Sequence, residues 1–375
     1  MTVGFESPLP PASTGVADYS AALLEALRKR GTVEVAPKRA DVRLYHLGNN
    51  HLHRKIYQRA IERPGIVVLH DAVLQHLFLG WFDEPSYVNE FVYSYGDWCR
   101  DLAHDLWRNR ASSGSHHRYY AYPMLRRIAE VSLAVIVHNP AAAGIVRRHA
   151  PHARVIEIPH FFAPPPMPDA ADVIRFRSTL GLGPRSFLFG VFGYLRESKR
   201  IMNILRAFQV VHRELPQTAL LLAGEFASRD LARAVAPLLQ EQPGIQRLGH
   251  LPERDFWLAA SACDVCINLR YPTAGETSGI GVRLMGIGKA VMLTEGEESS
   301  RYPETACLRI AHGVAETASL TEHSNLAASL PQTTREIGRR AAGHVQSSHS
   351  LDRVADEYWE TLCAYGQSSR SSGLA

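Results

Sequence analysis

Phe187-Leu188-Phe189-Gly190-Val191-Phe192-Gly193-Tyr194-Leu195-Arg196-Glu197-Ser198-Lys199-Arg200 is the stretch that decides the fold. The run Phe187–Phe192 is continuously apolar, as expected of a strand covered on both faces. Gly193 ends it with a turn. The amphipathic run Ile201–Leu215 follows as a helix, with Lys199 and Arg200 just before its first turn. Strand, glycine turn and helix in that order make one step of a parallel, doubly wound α/β sheet.

The same step repeats in both directions along the chain. Downstream, strands are expected at Ala219–Ala223, Ile245–Leu248, Val265–Leu269, Ala290–Leu293 and Cys307–Ile310. Upstream they are expected at Val3–Ser7, Val33–Ala36, Val42–Leu47, Ile66–His70, Leu133–His138 and Val155–Ile158. Between the two sets, Phe161–Asp169 carries four prolines in nine positions, a density that blocks helix and central strand alike and marks a linker. Two α/β domains follow, 1–163 and 164–350, which suits 375 residues with 46% hydrophobic content. A stretch from Leu74 to Arg127 is too long for a simple crossover and reads as an insertion of two or three helices. Ala111–Ser115 is expected as a mobile loop within it. The helix 351–366 is expected to pack back toward the first domain, and the Ser/Gly-rich tail 367–375 to be disordered.

Composition excludes several classes. A net charge of +4 with scattered Lys and Arg offers no track for a nucleic-acid backbone. No apolar run reaches the ~18 residues of a membrane span, and no signal peptide precedes Val3. A cytoplasmic protein is expected, with peripheral contact at the inner face of a membrane left open. Five cysteines do not make a disulfide framework, and Cys263 and Cys266 have no second pair nearby to complete a metal site. Core packing is the better reading of both.

Ligands of an open parallel sheet gather beyond the C-terminal ends of its strands. After the first strand, Ser13 and Thr14 can cap the helix Val16–Arg28, and Gly15 opens its N-terminus to an approaching group. After the third, Gly48-Asn49-Asn50 brings small polar donors. After the fourth comes His70-Asp71, placed to meet sugar hydroxyls or a leaving group; His138 and His160 hold similar positions with less support. In the second half, Gly193 with Lys199 and Arg200 forms a cationic turn at a helix N-terminus, suited to a diphosphate. Gly224-Glu225 and Gly249-His250-Leu251-Pro252 are turns where a base or ribose can rest. Glu276-Thr277-Ser278-Gly279 presents a carboxylate, two hydroxyls and free amides.

The joint order of these turns resembles the family-four retaining glycosyltransferases (glycosyl transferases, group 1), whose GT-B fold has two doubly wound Rossmann-like domains with a cleft between them. Ser7-Pro8-Leu9-Pro10-Pro11 with Gly15 is similar to their acceptor-side loop, Val68-Leu69-His70-Asp71 to their histidine strand, and Ile158-Pro159-His160 to their domain junction. The resemblance implies transfer of a hexose from a UDP- or GDP-sugar to a sugar or lipid-linked acceptor, with no cofactor and no bound metal. Lys199 would neutralise the diphosphate, Glu276 would be the first glutamate of the family's E-x7-E signature, and His70 would lie near the reacting sugar.

Two positions depart from the pattern. Tyr194 stands where the family has an arginine, so Arg196 or Arg200 would complete the phosphate clamp. Arg283 stands near the place of the second glutamate, where a guanidinium cannot accept ribose hydrogen bonds and would pair instead with phosphate or Glu276. This resembles a Gly-Glu-Thr-Ser-Gly variant branch with arginine there. A non-catalytic nucleotide-sugar-binding protein and a sugar-nucleotide epimerase remain as alternatives. A dehydrogenase is weaker, because no Gly-x-Gly-x-x-Gly follows the first strand.

Overall fold

The computed structural model describes residues 1–12 and 14–371, so Ser13 and residues 372–375 of the expected tail lie outside the described residues. The chain divides into two compact units. One comprises Met1–Phe161, Pro272–Thr277 and His349–Ala375; the other comprises Phe162–Tyr271 and Ser278–Ser348.

The first unit is built on a six-stranded sheet of β1 (Thr2–Glu6), β2 (Thr32–Val35), β3 (Val42–Leu47), β4 (Ile66–Leu69), β5 (Ala134–Val137) and β6 (Val155–Glu157). The order is β2-β1-β3-β4-β5-β6, with every pairing parallel. All residues of β4 and β5 are buried, as their unbroken apolar runs require. The final helix, Leu351–Ser371, packs on the helix Gly15–Arg28: Tyr358 Oη lies 3.1 Å from Tyr19 Oη, and Arg30 pairs with Asp356 at 2.7 Å. It remains helical through Ser371, past the expected end at residue 366. No proline interrupts that stretch, and adding a residue to an existing helix costs little.

The insertion between β4 and β5 holds five short α-helices: Gln75–Leu79, Glu84–Tyr95, Arg100–Arg108, Arg118–Ala121 and Arg126–Val131. Glycines and prolines at positions 80, 85, 96, 114 and 123 divide what reads as two or three longer segments. Trp81, Phe82 and Trp107 pack on the core of this layer, whereas Trp98 is 85% exposed.

The second unit repeats the plan with β7 (Phe187–Phe192), β8 (Thr218–Ala223), β9 (Ile245–Leu248), β10 (Val265–Asn268), β11 (Ala290–Thr294) and β12 (Leu308–Ile310). The order is β12-β11-β10-β7-β8-β9, again all parallel. Cys263 and Cys266 are buried free thiols, and burial raises the Cys263 thiol well above its ordinary pKa. No helix of the described residues is long and apolar enough to cross a membrane.

Candidate functional site

In the first unit, the C-terminal ends of adjacent strands bring four histidines onto one tyrosine. His46 lies in β3, and His70, His138 and His160 follow β4, β5 and β6. Tyr19, from the helix Gly15–Arg28, places its ring 4.9 Å from His70, 5.4 Å from His138 and 4.8 Å from His160. His46 is fully buried, and its Nδ1 lies 3.0 Å from His70 Nε2. The N–H at His53 Nδ1 donates to His46 O at 3.0 Å, and that at His138 Nδ1 donates to Ile158 O at 2.9 Å. The Nε2 atoms of His46, His53 and His138 are buried with no hydrogen-bond partner among the described residues.

Burial is the main reason these rings stay neutral. It holds His46 and His70 well below the ordinary histidine pKa and His53 and His138 at about 4. Neighbouring imidazoles add to the effect at His46 and His70. Neutral rings can donate and accept at once, which suits hydroxyl groups better than phosphates.

The loop Pro272–Thr277 belongs to this same unit, although the sequence places it with the second domain. Hydrogen bonds account for the difference. Ala72 N, two residues after His70, donates to Ala274 O at 2.7 Å. Asn139 Nδ2 donates to Gly275 O and to Thr277 Oγ1, both at 2.9 Å, while Asn139 Oδ1 caps the following helix by accepting from Ala142 N. Within the loop, Glu276 Oε2 accepts from Ala274 N at 2.7 Å and from Thr273 Oγ1 at 3.1 Å. Gly275 takes a φ of +73°, a left-handed conformation that favours glycine. His70 and Glu276 therefore stand on two directly bonded turns.

Thr14, Gly15 and Asn49, the other described residues expected on the acceptor side, also lie in the first unit. Thr14 Oγ1 accepts from Val16 N at 3.4 Å as the N-cap, and a methyl group added to Gly15 would meet nothing within 4 Å. Asn49 N donates to Asp71 Oδ2 at 2.8 Å. Ser13 lies outside the described residues.

In the second unit, Gly193 turns with φ +79° and Lys199 folds back beneath it, its Nζ donating to Phe192 O. Lys199 is 3% exposed. Burial, with the nearby Arg270 and Arg196 charges, drives its pKa well below the ordinary lysine value. A Cβ on Gly224 would overlap the carbonyl of Gly193, so these two turns touch backbone to backbone. Glu225 Oε1 accepts from His250 N at 3.2 Å, which joins the Gly224-Glu225 turn to the Gly249-His250 turn; Leu251 packs on the core. Ser278 Oγ caps the helix Gly279–Gly286 by accepting from Gly281 N at 3.2 Å.

Two of the three arginines expected at the phosphates are committed to carboxylates in the second unit. Arg200 is committed to the buried Glu316, its Nε donating at 2.7 and 3.0 Å, so it is not a ready substitute for the family's arginine. Arg196 stays exposed, 5.9 Å from the Tyr194 ring. Arg283 pairs with Glu253, and its guanidinium lies 4.5 Å over Phe256 and 4.4 Å over Trp257. Among the described residues, no group of three or more His, Cys, Asp or Glu side chains is arranged to hold a metal ion.

No protein-family model and no curated protein matches the chain. Solved structures do match it. Sucrose-phosphate synthase from Thermosynechococcus elongatus aligns with a TM-score of 0.69 at 16% identity, covering 97% of this chain and 99% of that one. HepE of Anabaena, in complex with UDP and glucose, gives 0.69 at 16% identity over 97% and 100%. WaaG, a glycosyltransferase involved in lipopolysaccharide biosynthesis, gives 0.64 at 14% identity over 96% and 99%. The chain has the GT-B fold.

Within this GT-B frame, the sequence does not single out Tyr19, His46, His53 or Asn139. His46 sits inside an apolar strand, where a lone histidine reads as core. The one signal available is that it falls two positions before Gly48, at the strand end where ligands gather. Asn139-Pro140 reads as a simple turn; its pairing with Gly275 and Thr277 is nonlocal and leaves no local pattern.

Proposed function

We propose that the chain is a metal-independent retaining glycosyltransferase that moves a hexose from a UDP- or GDP-sugar to a sugar or lipid-linked acceptor. One observation carries the reading: Ala72 N bonds Ala274 O at 2.7 Å, holding the turn of His70 to the loop of Glu276. Two groups serving one sugar need their turns held together in this way. Glu276 is already oriented by two hydrogen bonds, and the neutral His70 suits sugar hydroxyls.

In the second unit, Lys199 and the amides at the start of the helix Gly279–Gly286 supply the positive potential for a diphosphate leaving group, the task a metal performs elsewhere. Retention follows from the family resemblance. Structures of similar fold hold UDP and glucose or UDP-glucose, which makes uridine sugars the first donors to try.

The test is donor turnover by the purified protein with a panel of UDP- and GDP-sugars, alongside Glu276→Ala and Lys199→Ala. Turnover by wild type that both variants lose supports the reading, and the anomeric configuration of the product tests retention. Donor binding that never leads to transfer or hydrolysis favours the second reading, a nucleotide-sugar-binding protein without catalysis. The observation favouring it is Arg283, tied to Glu253 where the family has a ribose-gripping carboxylate.

A further inference from the structure

A cavity of about 550 Å³ in the first unit is lined by His76, Leu79, Arg108, Arg110 and Ser113, with Gly80 and Ala111 completing the wall. That volume is within the range of small-molecule sites. No carboxylate lines it. Arg108 ends the helix Arg100–Arg108 and, among the described residues, donates from Nε alone, to His104 O at 3.3 Å. Arg110 donates from Nη1 to Trp107 O at 2.8 Å, and its guanidinium lies 4.4 Å over the Trp107 ring. The nearest acid in sequence, Asp105, is already paired with Arg118 at 3.0 Å and accepts from Asn109. Two guanidinium groups thus face one cavity with most of their donors unspent.

The cavity is also wired to the histidine turn. Asn49 Oδ1 accepts from Leu77 N at 3.0 Å, which fixes the amide so that Nδ2 is the end 3.0 Å from His76 Nδ1. Nδ2 donates there, so neutral His76 carries its proton on Nε2. The same Asn49 donates its backbone N–H to Asp71, the residue after His70, at 2.8 Å. A chain of three residues therefore runs from the cavity wall to the turn that presents His70.

We propose that this cavity binds the phosphate group of a phosphorylated acceptor, Arg108 and Arg110 gripping its oxygens and Ser113 donating a hydroxyl. Arg108 and Arg110 are exposed at the cavity wall, and a phosphate dianion matches both guanidinium groups in charge and hydrogen bonding where an uncharged sugar does not. The proposal rests on the glycosyltransferase reading for the word acceptor, and on the cavity alone for the phosphate.

The experiment titrates the full-length protein with inorganic phosphate, glucose 6-phosphate and glucose at constant ionic strength, following melting temperature and heat of binding. Phosphatidylcholine vesicles with and without phosphatidic acid form a second arm. The variants are Arg108→Gln/Arg110→Gln and Arg110→Glu, each checked for an unchanged melting temperature without additives. Saturable binding of glucose 6-phosphate but not glucose, weakened at least tenfold in both variants, supports a soluble phosphate ester. Binding only to phosphatidic-acid vesicles, weakened likewise, supports a lipid phosphate. No saturable binding in either arm, or equal binding by wild type and variants, overturns the proposal. UDP binding by wild type, measured in parallel, separates the two readings: if UDP binds and phosphate esters do not, only this inference falls.

Discussion

His46 Nδ1 and His70 Nε2 lie 3.0 Å apart, and His46 has no exposed surface. One ring nitrogen of His70 is therefore occupied from inside the protein, which fixes the ring and leaves Nδ1 to meet a hydroxyl. His46 is buried and its ring bonds the candidate catalytic histidine, which makes it a positioning residue.

His46→Leu removes that hydrogen bond, and His46→Asn keeps a polar atom near the place of Nδ1. The leucine variant should lose about tenfold in kcat for donor turnover, the worth of one hydrogen bond of roughly 1.4 kcal/mol felt in the transition state. KM for the donor should change much less. The asparagine variant should recover most of the loss. Equal defects in both variants would assign His46 to packing alone.

The neutral histidines make the fold sensitive to mild acid. His53 and His138 sit at about 4 in the folded chain against an ordinary 6.5. Above pH 6.5 both folded and unfolded chains carry them neutral, and their full contribution is present. As pH falls from 6.5 toward 4, the unfolded chain binds protons that the folded one refuses. Stability then drops by up to about 1.4 kcal/mol per pH unit for each ring. Urea midpoints should fall between pH 6.5 and 5, before carboxylates of ordinary pKa protonate. His53→Gln should flatten that slope.

Two glycines should separate architecture from ligand approach. Gly224→Ala forces a Cβ onto the carbonyl of Gly193 and should cost about 3 kcal/mol, read from urea unfolding. Gly15→Ala meets nothing within 4 Å and should leave stability within about 0.5 kcal/mol. If Gly15 admits a substrate group to the helix N-terminus, the alanine variant loses turnover while folding normally. Unchanged turnover would reduce Gly15 to an ordinary helix start.

The central strands β4, β5, β7, β8 and β10 were legible because each is a short, largely apolar run buried along its whole length, a pattern independent of distant residues. The glycine turns at 193, 224 and 249 were legible for the same local reason. What could not be read was long-range. Arg200 is drawn to Glu316 and Arg283 to Glu253, partners 116 and 30 residues away. The loop Pro272–Thr277 joins the first unit through Asn139 and Ala72, far upstream. Arginine is a long side chain whose partner is chosen by tertiary packing, so its role is the least readable from sequence spacing.

Arg283 gives a direct check on that conclusion. Its guanidinium is held by Glu253 and two aromatic faces, so Arg283→Ala should cost about 1 kcal/mol of stability. Donor affinity should stay within about threefold, since the charge is spent inside the protein. A loss of donor binding beyond tenfold, more than 1.4 kcal/mol, would return Arg283 to the phosphate.

Lys199 should behave in the opposite way. Burial depresses the Lys199 pKa, and a diphosphate bound beside it would raise that pKa again. Between the two pKa values, donor binding must therefore take up a proton. Calorimetry of UDP binding in buffers of different ionisation enthalpy measures that uptake directly. Lys199→Met should abolish the uptake and weaken UDP binding, while stability changes little because removing a buried amine offsets the lost hydrogen bond to Phe192 O. Proton uptake that persists in the methionine variant would place the titrating group elsewhere, and Arg270 cannot be it, since a guanidinium stays charged throughout this range.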